Sequence, residues 1–62
     1  MTEIDRFVSS TGNIIALRSD GNLWEVTNFG ADGEVVWAET CVSGNHPFTE
    51  VEARAEFERW RV

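Results

Sequence analysis

Cys41 and His46 are the candidates for a nucleophile and a base in this chain. A catalytic cysteine needs a lowered thiol pKa, an orienting partner and a cleft that holds a substrate. Cys41 ends a β-branched and aromatic run that predicts a strand, and His46 stands beside Pro47 in a predicted connector. Neither position indicates a catalytic arrangement. We therefore expect a buried or rim thiol, a loop histidine and a chain that is not an enzyme.

The other chemically active groups are eleven Asp and Glu side chains. A metal centre needs three or four ligands at recognisable spacing, which scattered acids with one Cys and one His do not supply. Asp32-Gly33-Glu34 lacks the alternating ligands of a calcium loop of roughly twelve residues. Glu52 and Glu56 share a predicted helix face, but the nearby Arg59 favours solvated helix carboxylates over a general acid–base pair. We predict no metal and no cofactor.

The charge balance bears on the class of partner. Five arginines against eleven acids give a net charge of −6. Such a chain repels phosphate backbones, so we expect no direct nucleic-acid binding, whereas a basic protein surface would attract it. No apolar run approaches the roughly 20 residues of a membrane span, and the polar residues 1–6 do not form a signal peptide. A single cysteine fits a reducing compartment, which predicts a cytoplasmic protein of a bacterium or a host cell, without a membrane partner.

The turn residues predict the strands that position these groups. Asp20-Gly21 separates two alternating runs, which is typical of a β-hairpin with a two-residue loop and would place Leu17 opposite Trp24. Residues 15–24, IALRSDGNLW, resemble the A-L-x-x-D-G-x-x-W hairpin of β-propeller blades in the regulator of chromosome condensation family. A propeller needs several blades and this chain could supply one. The resemblance therefore implies the hairpin and no function.

Four strands are predicted, over about residues 4–9, 13–19, 22–28 and 34–42, separated by loops rich in Gly, Asn, Asp and Ser. The first turn is expected to set Val8 against Ile15 and the third to set Trp37 against Trp24. One face of the meander then carries the apolar side chains of Val8, Ile15, Leu17, Trp24, Val26, Val35 and Trp37.

A helix is predicted over about residues 50–61. Thr49 and Glu52 form a capping box, and Ala53, Phe57 and Trp60 make an apolar stripe that would cover the Trp24/Trp37 face of the sheet. Residues 1–62 are therefore expected to form a single α+β domain, a four-stranded antiparallel β-meander with one C-terminal α-helix packed on one face.

One helix cannot cover both faces of this sheet. The other face, here called the open face, is predicted to carry Phe7, Ile14, Ala16, Leu23, Val36 and Ala38. An apolar patch of this kind marks an interface. We therefore expect a small acidic non-enzymatic binding protein that acts by occupying a macromolecular partner's surface. Phage-encoded inhibitors of host defence complexes, anti-CRISPR proteins among them, are examples of this size and charge.

The expected binding residues fall into an acidic set and an apolar set. The acidic side chains that could meet a basic protein surface are Asp20, Glu25, Asp32 and Glu34. The apolar contacts on the open face are Phe7, Ile14, Leu23 and Val36. The alternative function is a structural or accessory homo-oligomer, such as a homodimer, that pairs through the open face.

Overall fold

The computed structural model describes residues 1–42 and 46–61. β1 to β4 form an antiparallel sheet in sequential order, and β5 pairs with β6 in a small second sheet. The helix α1 contacts β2 and β3. This confirms the predicted α+β meander with a C-terminal helix on one face. The elements in chain order are β1 (Thr2–Val8), β2 (Ile14–Ser19), β3 (Trp24–Phe29), β4 (Val35–Glu39), β5 (Cys41–Val42), β6 (His46–Pro47) and α1 (Glu50–Arg59).

The turn between β2 and β3 confirms the predicted hairpin but moves its loop by one residue. The two-residue loop is Gly21-Asn22 instead of Asp20-Gly21, and Gly21 supplies a positive φ of 98° at the first loop position. This is the position at which two-residue hairpin loops favour glycine. Leu17 therefore pairs with Val26 instead of Trp24. Because the pairing moves by two residues, every side chain stays on its predicted face.

The turn between β1 and β2 differs by one residue, which reverses the faces of β1. A three-residue loop, residues 10–12, ends in Gly12 with a φ of 89°. Phe7 pairs with Ile15, so Phe7 packs against the core on the helix side. Val8 lies on the open face and is 68% exposed. The prediction that placed Val8 on the helix side and Phe7 on the open face was wrong, since neighbouring strand residues point to opposite faces.

Between β3 and β4, a three-residue loop at 31–33 is followed by a one-residue bulge. Trp37 pairs with Asn28 instead of Trp24, but it keeps its predicted helix-side face and packs against the core. Val35 precedes the bulge and pairs with Phe29, so it lies on the open face instead of its predicted helix-side face and is 57% exposed. A bulge turns two residues of one strand toward a single partner, which explains this change.

The fourth strand is shorter than predicted. β4 ends at Glu39, and the carbonyl of Thr40 accepts a hydrogen bond from the N–H of Phe48 at 2.8 Å. The chain has then left the main sheet, and Cys41 pairs with Pro47 in the β5–β6 sheet. Part of the connector predicted over residues 43–47 is thus a strand, while 43–45 lie outside the described residues.

The start of α1 has the predicted capping box. The hydroxyl of Thr49 accepts the N–H of Glu52 at 3.2 Å, and the Glu52 carboxylate accepts the N–H of Thr49 at 2.9 Å. Two backbone N–H groups that no helical carbonyl can reach are satisfied in this way. Ala53 and Phe57 are buried as predicted, whereas Trp60 caps the helix and remains 36% exposed.

The core lies between α1 and the helix-side face of the sheet. Phe7 and Phe57 meet edge to face with ring centroids 5.1 Å apart, and Trp37 and Trp60 lie at the same separation. Phe48 is a buried core residue that sequence reasoning missed. The buried cluster consists of Ile15, Leu17, Val26, Phe48, Ala53 and Phe57.

Candidate functional site

The open face is the sheet surface turned away from α1. Because Ile15 and Leu17 point into the core, their neighbours Ile14, Ala16 and Arg18 point the other way. Ala16 is nevertheless fully buried, since it sits in a central strand among longer side chains. The open face therefore mixes apolar and charged groups, and it is less continuously apolar than the sequence indicated.

Four charged side chains on the open face form a connected group, here called the charge ladder: Glu3, Arg18 and Glu25 lie opposite one another on β1, β2 and β3, and Arg6 lies beside Glu3 on β1. Arg6 donates two hydrogen bonds to the Glu3 carboxylate, both at 2.8 Å. Arg18 pairs with Glu3 in the strand register and donates to Glu25 Oε1 at 3.0 Å. The hydrogen bond from Arg6 lowers the pKa of Glu3, and the charges of Arg6 and Arg18 add to this effect. The ladder alternates in sign and is neutral as a whole.

Glu25 is held within the ladder. Its carboxylate also accepts a hydrogen bond from the hydroxyl of Thr27, and its side chain is only 16% exposed. A partner would have to compete with Arg18 for this carboxylate. The predicted role of Glu25 as a free acidic contact is therefore less favourable than that of the acidic loops described below.

An apolar groove of about 490 Å³ lies along β2 on the open face. Met1, Glu3 and Arg18 line one end, and Ile14, Phe29 and Gly33 line the other. Of the apolar residues predicted on this face, Ile14 is the one that contributes to the groove.

Two acidic loops lie at opposite ends of β3. In the Asp20 loop (residues 20–23), the Asp20 carboxylate accepts the N–H groups of Leu23 at 2.7 Å and Asn22 at 2.9 Å. These bonds lower the pKa of Asp20, with Leu23 the larger cause. In the Asp32 loop (residues 30–34), Asp32 accepts the N–H of Glu34 at 3.0 Å. Both loops thus fix a carboxylate by backbone hydrogen bonds.

The spacing of these loops separates their charges. At about 3.3 Å per residue, the seven steps from residue 23 to residue 30 span roughly 23 Å. This exceeds the Debye length of about 8–10 Å at physiological salt. The predicted acids Asp20, Asp32 and Glu34 therefore form two separate charged ends. Leu23, 43% exposed, lies at the first end, and Val36, 58% exposed, lies at the bulge near the second.

A second group of ionisable side chains lies between β4 and α1, and sequence reasoning missed it. Burial raises the pKa of Glu39, and the hydrogen bond and charge of Glu56 raise it further. Trp60 Nε1 and Arg59 Nη1 donate to Glu56 at 3.2 and 3.3 Å. The sequence had placed Glu56 beside Glu52 instead. Glu39 shares the helix-side face of Trp37 in both the predicted and the observed register, so the missing signal was which residue of α1 lies over it.

The Glu39–Glu56 pair lines a small cavity of about 260 Å³ together with Cys41. The Cys41 thiol is exposed and lies 3.7 Å from the hydroxyl of Thr40. His46 Nε2 lies 2.9 Å from a carboxylate oxygen of Glu52, so the imidazole is engaged away from the thiol. This arrangement brings two carboxyl groups together, but within the described residues it does not join Cys41 to His46.

Within residues 1–42 and 46–61, no group of three His, Cys, Asp or Glu side chains is arranged to hold a metal ion. The described part of the chain also has no helix with the length and apolarity needed to cross a membrane. No protein-family model, curated protein or solved structure matches the chain.

Proposed function

We propose that this chain is a non-enzymatic binding protein that occupies a surface of a protein partner through its open face. The observation that carries this proposal is the apolar groove between Ile14, Phe29 and Arg18 on a sheet face that α1 leaves uncovered. Val8 and Leu23 are two further exposed apolar side chains on this face, and neither of them lines the groove. Apolar contact area with polar side chains at its rim is typical of protein interfaces.

The charge distribution favours a basic partner. The charges of the ladder cancel, so the whole net charge of −6 lies outside it. Acidic groups stand at both ends of the open face, in the Asp20 loop and the Asp32 loop. A partner with an apolar centre and Lys or Arg around it would match this pattern, and such charges mainly speed association and select the partner.

The same charges oppose the alternative, a homodimer through the open face. A two-fold dimer apposes the same surface of both copies. Whichever way the strands of the two copies run, an acidic loop of one copy would meet an acidic loop of the other. Like charges in contact disfavour that assembly. A heterologous partner therefore fits the open face better than a second copy does.

We further propose that the protein inhibits the partner that it binds. A basic protein surface is also the kind of surface that holds nucleic acid, because Lys and Arg neutralise its phosphates. An acidic protein seated there would exclude the nucleic acid without chemistry of its own. A phage-encoded inhibitor of a host defence complex, similar to an anti-CRISPR protein, is the form of this function that we propose.

Two matched variants test the proposed surface. Ile14→Lys puts a charge into the groove, and Val51→Lys makes the same kind of change on the helix, where Val51 is 78% exposed. Wild type and both variants serve as baits in a lysate of cells that express the chain. We expect a partner that wild type and Val51→Lys retain and Ile14→Lys loses.

Equal recovery of the same proteins on all three baits would contradict the open face as the contact. Light scattering addresses the alternative directly. A wild-type dimer that Ile14→Lys converts into a folded monomer would favour the homo-oligomer, whereas a monomeric wild type removes it.

A further inference from the structure

The groove on the open face runs along β2. It begins near Arg18, follows β2 to Ile14 and reaches Gly33 in the Asp32 loop. Beyond Arg18 the chain continues directly into the Asp20 loop. An occupant that lies along β2 would therefore meet an acidic loop, then an apolar groove, and then a second acidic loop.

Both loops are negatively charged, but they differ in their number of carboxylates. Asp20 is the single carboxylate at one end; the N–H groups of its own loop hold it, and the charge of the N-terminal ammonium group also lowers its pKa. Asp32 and Glu34 flank Gly33, which lines the other end of the groove. The arginines of the ladder add no free positive charge between these ends, because Arg6 is paired with Glu3 and Arg18 with Glu25.

We propose that this groove is the docking site for an extended segment of a basic protein. One or two large apolar side chains of the segment enter between Ile14 and Phe29, and Lys or Arg residues on either side reach Asp20 and the Asp32 loop. This inference rests on the proposed function, since it names the kind of partner that the open face takes.

The dimensions agree with this occupant. A groove of about 490 Å³ falls within the roughly 300–1,000 Å³ of sites that enclose a small ligand. The roughly 23 Å between the loops corresponds to about seven residues of extended chain. The segment therefore has an apolar centre and a basic residue about three positions away on each side.

Charge argues against the other occupants of the groove. An anionic ligand would meet arginines that already carry carboxylate partners, in a chain whose net charge is −6. A second copy of the chain would bring its own acidic loops to the ends of the groove. A basic segment is the occupant that both ends attract.

The test is a selection from a display library of random linear peptides of roughly nine residues, long enough to span both loops. The library is first depleted on Ile14→Lys and then selected on the wild type. We expect enriched sequences with a large apolar residue at the centre and Lys or Arg about three positions away on both sides.

An enriched peptide is then synthesised with a fluorescent label, and its affinity is measured by fluorescence polarisation. We expect Val51→Lys to bind as the wild type does and Ile14→Lys to bind at least tenfold more weakly. Asp20→Asn and the double variant Asp32→Asn/Glu34→Gln should each weaken binding by about 1.5- to 5-fold at low salt and by less at high salt. Phe29→Ala, which removes a wall of the groove without adding a charge, replaces Ile14→Lys if circular dichroism shows that the latter is unfolded.

Three results would overturn the inference: no enrichment, enriched sequences without basic residues, or affinities that the acidic-loop variants leave unchanged. The proposed function and the segment inference can be told apart by their results. If the protein captured from the lysate depends on Ile14 while the library yields nothing, the open face binds a folded surface and the segment inference falls alone. If neither the captured protein nor a selected peptide depends on Ile14 for binding, both proposals are wrong.

Discussion

The pairing of β1 with β2 can be tested by comparing Phe7→Ala with Val8→Ala. The sequence indicated that Val8 packs under the helix, whereas the structure puts Phe7 there, edge to face with Phe57 at 5.1 Å. Arg61 also lies over the Phe7 ring, 4.6 Å from its centroid. The two substitutions are adjacent in the chain but remove side chains from opposite faces of the same strand.

The expected costs differ severalfold. Removing a fully buried Phe side chain costs about 3–5 kcal/mol, and Phe7 is partly buried, which suggests roughly 2 kcal/mol. Val8 is 68% exposed, and substitutions at such surface positions change stability by about 0.5 kcal/mol or less. For a domain of this size, Phe7→Ala should lower the melting temperature by roughly 8–16 °C.

Urea unfolding followed by tryptophan fluorescence measures both costs. The denaturant slope should be unchanged, because neither substitution alters the surface exposed on unfolding by much. A larger loss of stability in Val8→Ala than in Phe7→Ala would refute the observed register and support the one that the sequence indicated. Equal small losses would show that β1 contributes little to the core.

The remaining predictions concern the carboxyl pair, the helix cap and the aromatic contact. The pKa of Glu39 is raised from its ordinary value of 4.5, so its stabilising contribution is complete below pH 4.5 and is lost as the pH rises through the raised pKa. Glu39→Gln should therefore flatten the pH dependence of the unfolding free energy above pH 4.5, as measured by urea unfolding at several pH values. Thr49→Ala should cost about 0.5–2 kcal/mol in urea unfolding, and Thr49→Ser should restore most of it. A double-mutant cycle between Phe7 and Phe57 should give a coupling of about 0.5–1.5 kcal/mol, and a coupling near zero would contradict the edge-to-face contact.

Much of the fold could be predicted because its signals are local. A glycine beside Asp or Asn marked the β2–β3 hairpin, and Thr49 with Glu52 marked the start of α1. A one-position error in the two-residue loop shifts the pairing by two residues, so every side chain keeps its predicted face. The helix stripe of Ala53 and Phe57 was found for the same reason, since its spacing does not depend on any turn.

The faces of β1 depended on the exact length of the loop at residues 10–12. The charged residues of β1 give no guide to its faces, because Asp5 lies opposite Leu17 at the edge of the sheet and its side chain stays 53% exposed. The three-residue loop sets Arg6 on the open face beside Glu3 and gives the core Phe7.

Parts of the candidate site could not be predicted, because they join residues that are distant in sequence. Glu39 meets Glu56 only when β4 and α1 have packed. The groove likewise needs Met1, Ile14 and Gly33 brought together from the N-terminus, β2 and the Asp32 loop. No local pattern carries these contacts.

The reversal of β1 also changes what the open face can bind. With Phe7 on that face, its ring would add apolar surface beside Ala16. With Arg6 there instead, its ion pair with Glu3 borders the groove and the apolar contact narrows toward Ile14 and Phe29. A narrow apolar groove with acidic groups beyond both ends discriminates by the position of charges along its occupant. The proposed selectivity for a basic segment therefore depends on the same one-residue change in pairing that places Phe7 in the core.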